Sequence, residues 1–285
     1  MLELVRRYTA TKVGVRESMK AGYQTTINFL EKDPFGQRRI DSIKISDAKL
    51  WLISLQQRQG KGYSTIHTIR GILRPAFRQA YDDDMIRRNP FDFELATVIV
   101  NDSVTREAIT RDQERKYLEF VKQDKHFSRY YEGIYILFNT GLRISEFVGL
   151  TTKNIDFKNH KISIKRSAYY LSGQPTSEKS PKTDLSTRTI AVPSICFDLL
   201  KQWRCEQGKM RLALGKSWKG SENVFTTADG RIMNPATGPK WFSSFLTRNG
   251  FPHIRFHDLR HTFATLLISG NVDVKTVSHK LGHAS

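Results

Sequence analysis

Four short stretches of this sequence concentrate side chains that can do chemistry. The first is His257-Asp258-Leu259-Arg260-His261. His257 and Arg260 stand three apart, a spacing that puts both on one helix face. An imidazole and a guanidinium aimed at one point can hold a phosphate, because the guanidinium fork matches two phosphate oxygens. His257 and His261 are also spaced for a metal. The zinc-protease pattern, however, needs a Glu base where this chain has the shorter Asp258. The second stretch is Thr140-Gly141-Leu142-Arg143-Ile144-Ser145-Glu146, a glycine between two helical patterns followed by two charges in apolar company. Half-buried charges are costly unless paired, so an Arg143–Glu146 pair that merely pins a helix start is the structural alternative. The third is Lys280-Leu281-Gly282-His283, where a histidine after a glycine can point out from a helix end or simply follow a cap. The fourth is Ser180-Pro181-Lys182-Thr183-Asp184, a polar stretch in which a lysine is ordinarily solvated surface.

The elements that must position these residues follow from periodicity. Apolar spacing predicts helices from 111 to about 140, then over 194–214, 236–248, 257–269 and 273–281. Thr110 reads as an N-cap, with Asp112 and Glu114 in the first turn. Two β-branched runs, Lys161–Ile164 and Thr187–Val192, predict a small antiparallel sheet, with the polar stretch Ser172–Ser186 as a long hairpin between them.

Residues 1–96 read as helices separated by turns. A helix starting at Ser46 or Asp47 is expected to turn Leu50, Ile53 and Leu55 inward, and Gly60-Lys61-Gly62 breaks it. Ser64 then opens a helix with Ile66, Ile69, Leu73, Phe77 and Ala80 on one buried face. Beside that face Arg70, Arg74 and Arg78 recur every four residues, extended by His67 and Lys61. Such a stripe is either a solvated face or a phosphate contact. Pro75 is expected to kink this helix, and Asn89-Pro90 to end the helical pattern. The domain reading is therefore 1–100 helical, 101–110 linker, and 111–285 a second, mainly helical domain with a minor sheet.

The 285 residues carry 46 Lys and Arg against 28 Asp and Glu, a net charge of +18 that points to a polyanionic partner. No run of about 18 apolar residues exists to form a transmembrane helix, and the basic, interrupted N-terminus does not read as a signal peptide. Two cysteines, Cys196 and Cys205, are too few for a disulfide framework or a four-cysteine zinc site. The expectation from composition is a soluble, intracellular, basic globular protein whose polyanionic partner is either nucleic acid or an acidic membrane surface.

Taken together, Thr-Gly-Leu-Arg143-x-x-Glu146, Lys182 between two strands, His257-x-x-Arg260 and Leu-Gly-His283 resemble the tyrosine recombinase (phage integrase) family in order and spacing. The wording Ile45-Ser46-Asp47-Ala48-Lys49 and Arg87-Arg88-Asn89-Pro90-Phe91-Asp92-Phe93 is most similar to integrases of conjugative transposons from Gram-positive bacteria. The resemblance implies a mainly α fold with a small antiparallel sheet. An N-terminal helical core-binding domain would precede a mixed α/β catalytic domain. It implies double-stranded DNA attachment sites as substrate, a homo-tetramer on DNA, a possible directionality factor, a bacterial cytoplasmic location, and neither metal nor cofactor. In that scheme Arg143 and Arg260 clamp the scissile phosphate, His257 and His283 add hydrogen bonds, and His257 assists proton transfer from the nucleophile. Lys182 protonates the leaving 5′-oxygen, and Glu146 supports the site. Lys61, His67, Arg70, Arg74 and Arg78 would contact DNA from the first domain.

The family's nucleophilic tyrosine is expected shortly after His283, beyond Ser285, and the last of the ten tyrosines here is Tyr170. The chain as written is therefore expected to bind DNA without cutting it, as a truncated form that also lacks any arm-binding domain ahead of residue 1. Three other readings stay open. They are a non-catalytic DNA-binding relic or regulator of the same family, a zinc hydrolase built on His257 and His261, and a type IB topoisomerase of shared chemistry.

Overall fold

The computed structural model describes residues 1–103, 109–125, 127–170, 174–179, 187–251 and 254–282. The chain divides into two compact units, Met1–Thr105 and Arg106–Ser285.

The first unit is helical: α1 (Leu2–Ala10), α2 (Glu17–Lys32), α3 (Ile45–Gln57) and α4 (Tyr63–Asp82), with short 3-10 turns at Pro34–Gln37, Ile40–Ser42 and Leu95–Thr97. α4 forms where the apolar spacing predicts it and buries Ile66, Ile69, Ile72, Leu73, Ala76, Phe77 and Ala80. Its N-terminus is capped from far along the chain, since the Tyr63 N–H donates to Asp102 Oδ1 at 2.9 Å. The unit's core closes around Trp51, which stacks on Phe35 at 4.6 Å and donates its indole N–H to the buried Asp33 at 3.1 Å.

Two expectations fail here. Leu50 was expected inward but is 66% exposed. α3 buries Ala48, Trp51, Leu52 and Leu55, a period that leaves Leu50 on the opposite face. The helical pattern was expected to run to Asn89-Pro90, but α4 ends at Asp82 and Asp84 takes a positive φ of 55°. Asn89 instead anchors a turn: its side chain donates to the Arg74 carbonyl at 2.9 Å and accepts the Phe91 N–H at 2.9 Å. α4 continues through Pro75 without interruption.

The second unit contains α5 (Arg111–Gln123), α6 (Tyr131–Thr140), α7 (Ile144–Val148), β1 (Ile155–Asp156), β2 (Lys161–Ile164), β3 (Ser167–Tyr169), β4 (Ser177–Lys179), β5 (Arg188–Ala191), α8 (Ser194–Leu214), α9 (Thr237–Arg248), α10 (Asp258–Ser269) and α11 (Val274–Leu281). Thr110 caps α5 by accepting the Gln113 N–H while Gln113 returns the bond to the Thr110 N–H. Strands β1, β2 and β5 form one antiparallel sheet, with Ile162 opposite both Ile155 and Ile190. Between β2 and β5, strands β3 and β4 pair as a second, two-stranded antiparallel sheet. Ile155, Ile162, Ile164 and Ile190 are buried, while Ser163 and Thr189 meet on the other face at 2.9 Å.

The helices enclose an aromatic cluster. The Tyr117 ring lies within 6.1 Å of the Phe138, Phe242, Phe245 and Phe251 rings. The Tyr117 hydroxyl is buried and has no hydrogen-bond partner among the described residues. No described helix is long and apolar enough to cross a membrane.

Candidate active site

The site lies where α6, α7, β5, α10 and α11 meet. Gly141 ends α6 in the left-handed region, with φ 61°. A Cβ there would sit 2.4 Å from the Phe263 ring, so only glycine lets α6 stop this close to α10. The chain turns at once into α7, whose N-cap is Arg143.

The Arg143–Glu146 pair is present. Arg143 Nη1 donates to Glu146 Oε1 at 2.7 Å, and the Arg143 N–H donates to Oε2 at 3.0 Å. The sequence reading missed a third member. Arg188, only 6% exposed, places Nη1 and Nη2 on the same two carboxylate oxygens at 3.1 and 2.9 Å. The signal was available in the alternation of β5, which puts Arg188 in phase with the buried Ile190 and Val192. Burial alone would raise the Glu146 carboxyl, yet the bond and charge of Arg188, with those of Arg143, hold it below the usual carboxylate range.

Arg260 comes from the first turn of α10 and is 3% exposed. Its Nη1 donates to the Gly141 carbonyl at 2.8 Å and its Nη2 to the Leu281 carbonyl at 2.5 Å. The last turn of α11 thus meets three arginines in sequence. Arg188 Nε donates to the Lys280 carbonyl at 2.7 Å and Arg260 to Leu281, while Arg143 Nη2 stands 3.5 Å from the Gly282 carbonyl. A helix C-terminus presents free carbonyls and a partial negative charge, and here guanidinium groups from three elements answer it.

Arg260 is pushed down to about 10 by burial and then by the charges of Arg143 and Arg188. His257, the N-cap of α10, is lowered by partial desolvation and by His261, Arg260 and Arg143. That shift favours the neutral imidazole. The His257 and His261 rings stand 5.2 Å apart, edge to face. Asp258 is buried and accepts the Arg255 N–H at 2.7 Å. Among the described residues no three His, Cys, Asp or Glu side chains gather in a way that could hold a metal ion.

The structure therefore brings Arg143, Glu146, His257 and Arg260 together. Lys182 and His283 lie outside the described residues. The expected DNA-contact residues belong to the first unit and have internal partners. Arg74 forks onto Asp92 at 2.6 and 3.0 Å, Arg78 meets Asp82 at 3.0 Å, and Arg70 stacks on Phe93 and donates to its carbonyl. Lys61 lies over the Phe29 ring at 5.7 Å, and His67 stacks beside Tyr63 at 6.2 Å.

Residues 107–285 match the profile of the phage integrase family. The transposase from transposon Tn916 of Enterococcus faecalis is 33% identical over 305 residues, spanning all of this chain and 71% of the relative. Among solved structures, the Tn1549 transposon integrase in complex with transposon right end DNA aligns with a TM-score of 0.91 at 29% identity, covering all of this chain and 91% of that one. A lambda integrase dimer bound to a core site shares the fold, with a TM-score of 0.68 at 17% identity over all of this chain and 92% of that one. By the family match over residues 107–285 and the likeness to a transposon transposase along its whole length, the chain belongs to the phage integrase family of tyrosine recombinases.

Proposed function

We propose that this protein serves site-specific recombination of a mobile element, holding a DNA phosphodiester at the Arg143–His257–Arg260 site while a tyrosine attacks it. The observation that carries this reading is the charge balance of the pocket. Two guanidinium groups, Arg143 and Arg188, share one carboxylate, Glu146, while Arg260 rests on backbone carbonyls, and burial first and then the neighbouring positive charges lower Arg260 and His257. An incoming phosphate relieves that excess. Preorganised cations aimed at the non-bridging oxygens are what lowers the barrier to phosphoryl transfer.

The tyrosyl oxygen bonds to phosphorus, its proton passing to neutral His257, and the bond to the 5′-oxygen breaks. Lys182 delivers a proton to that oxygen. Arg143 and Arg260 hold the non-bridging oxygens, and His283 adds a hydrogen bond. A 5′-hydroxyl from a second strand then reverses the step. None of the tyrosines in this sequence follows His283, where the resemblance places the nucleophile; residues 111–285 are assigned the phosphate-binding part of the chemistry. The helical first unit is assigned to gripping the duplex through Arg70, Arg74 and Arg78, with Lys61 and His67 beside them. Arg74 and Arg78 hold exposed carboxylates, and exposed pairs are worth only about 0–1 kcal/mol, so DNA phosphates can displace them. Tetramer formation on attachment sites and a directionality factor belong to the same proposal.

The test is covalent trapping on a nicked attachment-site duplex, comparing residues 1–285 with the protein extended along its reading frame. An adduct on a denaturing gel from the extended protein, reduced about 100- to 1,000-fold by Arg143→Ala or Arg260→Ala, supports the reading. Intact duplex binding with no adduct from either form makes the protein a non-catalytic DNA binder.

A further inference from the structure

We propose that Arg188 is a positioning residue of this site, holding Arg143 available for phosphate and tying the β5 strand to the turn that leads into His283. The inference rests on the proposal that Arg143 and Arg260 bind phosphate.

Glu146 sits at the centre of the argument. Its two carboxylate oxygens each accept one bond from Arg143 and one from Arg188. Because Arg188 covers both oxygens, its charge answers the carboxylate and that of Arg143 is left over. Arg143 touches Glu146 through a single guanidinium nitrogen, and its side chain remains 35% exposed. Were Arg188 absent, a buried carboxylate would draw Arg143 into a two-pronged pair, since a desolvated carboxylate takes all the donors it can reach. The guanidinium would then turn from the phosphate position towards Glu146.

The second contact fixes the other side of the pocket. Arg188 Nε donates to the Lys280 carbonyl at 2.7 Å, next to the Leu281 carbonyl that receives Arg260. Gly282, the left-handed cap of α11 with φ 65°, makes this approach possible, for a Cβ there would lie 2.9 Å from Arg188 Nη1. One buried side chain thereby joins the carboxylate behind Arg143 to the turn just before His283. It does so from the strand whose chain carries Lys182 a few residues upstream. A lysine could not replace it, because one ammonium lacks the planar fork that spans both oxygens while a third nitrogen reaches the carbonyl.

The experiment uses residues 1–285 and inorganic phosphate, with affinity read from the phosphorus line width and His257 followed by its proton titration. Arg143→Ala and Arg260→Ala report on the underlying reading. If neither weakens phosphate binding, the phosphate site itself is wrong. If both do, Arg188→Met decides the present inference. The expected result is a folded variant with phosphate affinity reduced about tenfold and His257 titrating closer to its ordinary value as Arg143 turns away. Wild-type affinity and an unchanged His257 titration in folded Arg188→Met overturn it, since a purely structural role would leave both alone. Should that variant fail to fold, Arg188→Lys takes its place. Weakened phosphate binding in Arg188→Lys supports the positioning role, and wild-type affinity overturns it.

Discussion

The molecule carries two sets of three arginines, and they are built on opposite principles. In the first unit Arg70, Arg74 and Arg78 line one side of a single helix. Arg74 and Arg78 each have a carboxylate of their own, while Arg70 lies against Phe93. In the second unit Arg143, Arg188 and Arg260 come from a helix cap, a strand and another helix; the first two share Glu146, and all three meet a run of backbone carbonyls. Arg74 and Arg78 of the stripe are exposed and locally neutralised, so their grip on a polyanion is adjustable and screened by salt. The pocket is buried and over-cationic, so its geometry is set before any ligand arrives. Adaptable cations suit a duplex read along its length, whereas fixed ones suit a single phosphorus atom.

The comparison can be broken most sharply at Glu146. Glu146→Ala leaves buried guanidinium groups without their carboxylate and is expected to cost about 3–5 kcal/mol, measured by urea unfolding. A loss no larger than that of a surface pair would put the pocket in the same class as the stripe. The same carboxylate sets an acid limit. Its folded-state value lies below the ordinary 4.5, so its stabilisation is present above that value and is lost as pH falls through the lowered one. Melting temperatures followed downward from neutral pH are expected to converge for wild type and Glu146→Gln once both carry a neutral group there.

Next in size is Gly141→Ala, which forces a Cβ against Phe263 in the left-handed region and is expected to cost about 1–3 kcal/mol by thermal unfolding. The smallest stability effect belongs to the stripe. Arg74→Ala is expected to change stability by no more than about 1 kcal/mol. It should nevertheless weaken duplex binding and lower the salt dependence by about 0.9 in the log–log slope. An unchanged slope would return Arg74 to an ordinary solvated surface.

Much of this was readable in the sequence, for reasons that differ by region. The Ile66–Ala80 face and the 194–214 helix follow from spacing alone, since an amphipathic helix displays its period. Leu50 was misplaced because the true period of α3 is anchored by Ala48 and Trp51, and one exposed leucine breaks no rule. Proline at position 90 is not what ends α4, because Asp84 turns the chain first. Arg188 escaped for a physical reason: a charge at an inward strand position makes sense only once its partner, 42 residues away, is known. The three α11 carbonyls carry no side-chain signature at all, so no motif could announce them.

The Tyr117 hydroxyl has a practical consequence. A buried hydroxyl that finds no partner among the described residues costs roughly 1–3 kcal/mol, and burial pushes its titration up from the usual phenol value. Tyr117→Phe would preserve the ring that organises four phenylalanines while deleting the stranded oxygen. The aromatic heart of the second unit thus holds unused capacity for a sturdier protein, far in function from the arginines, and a single-atom edit is enough to draw on it.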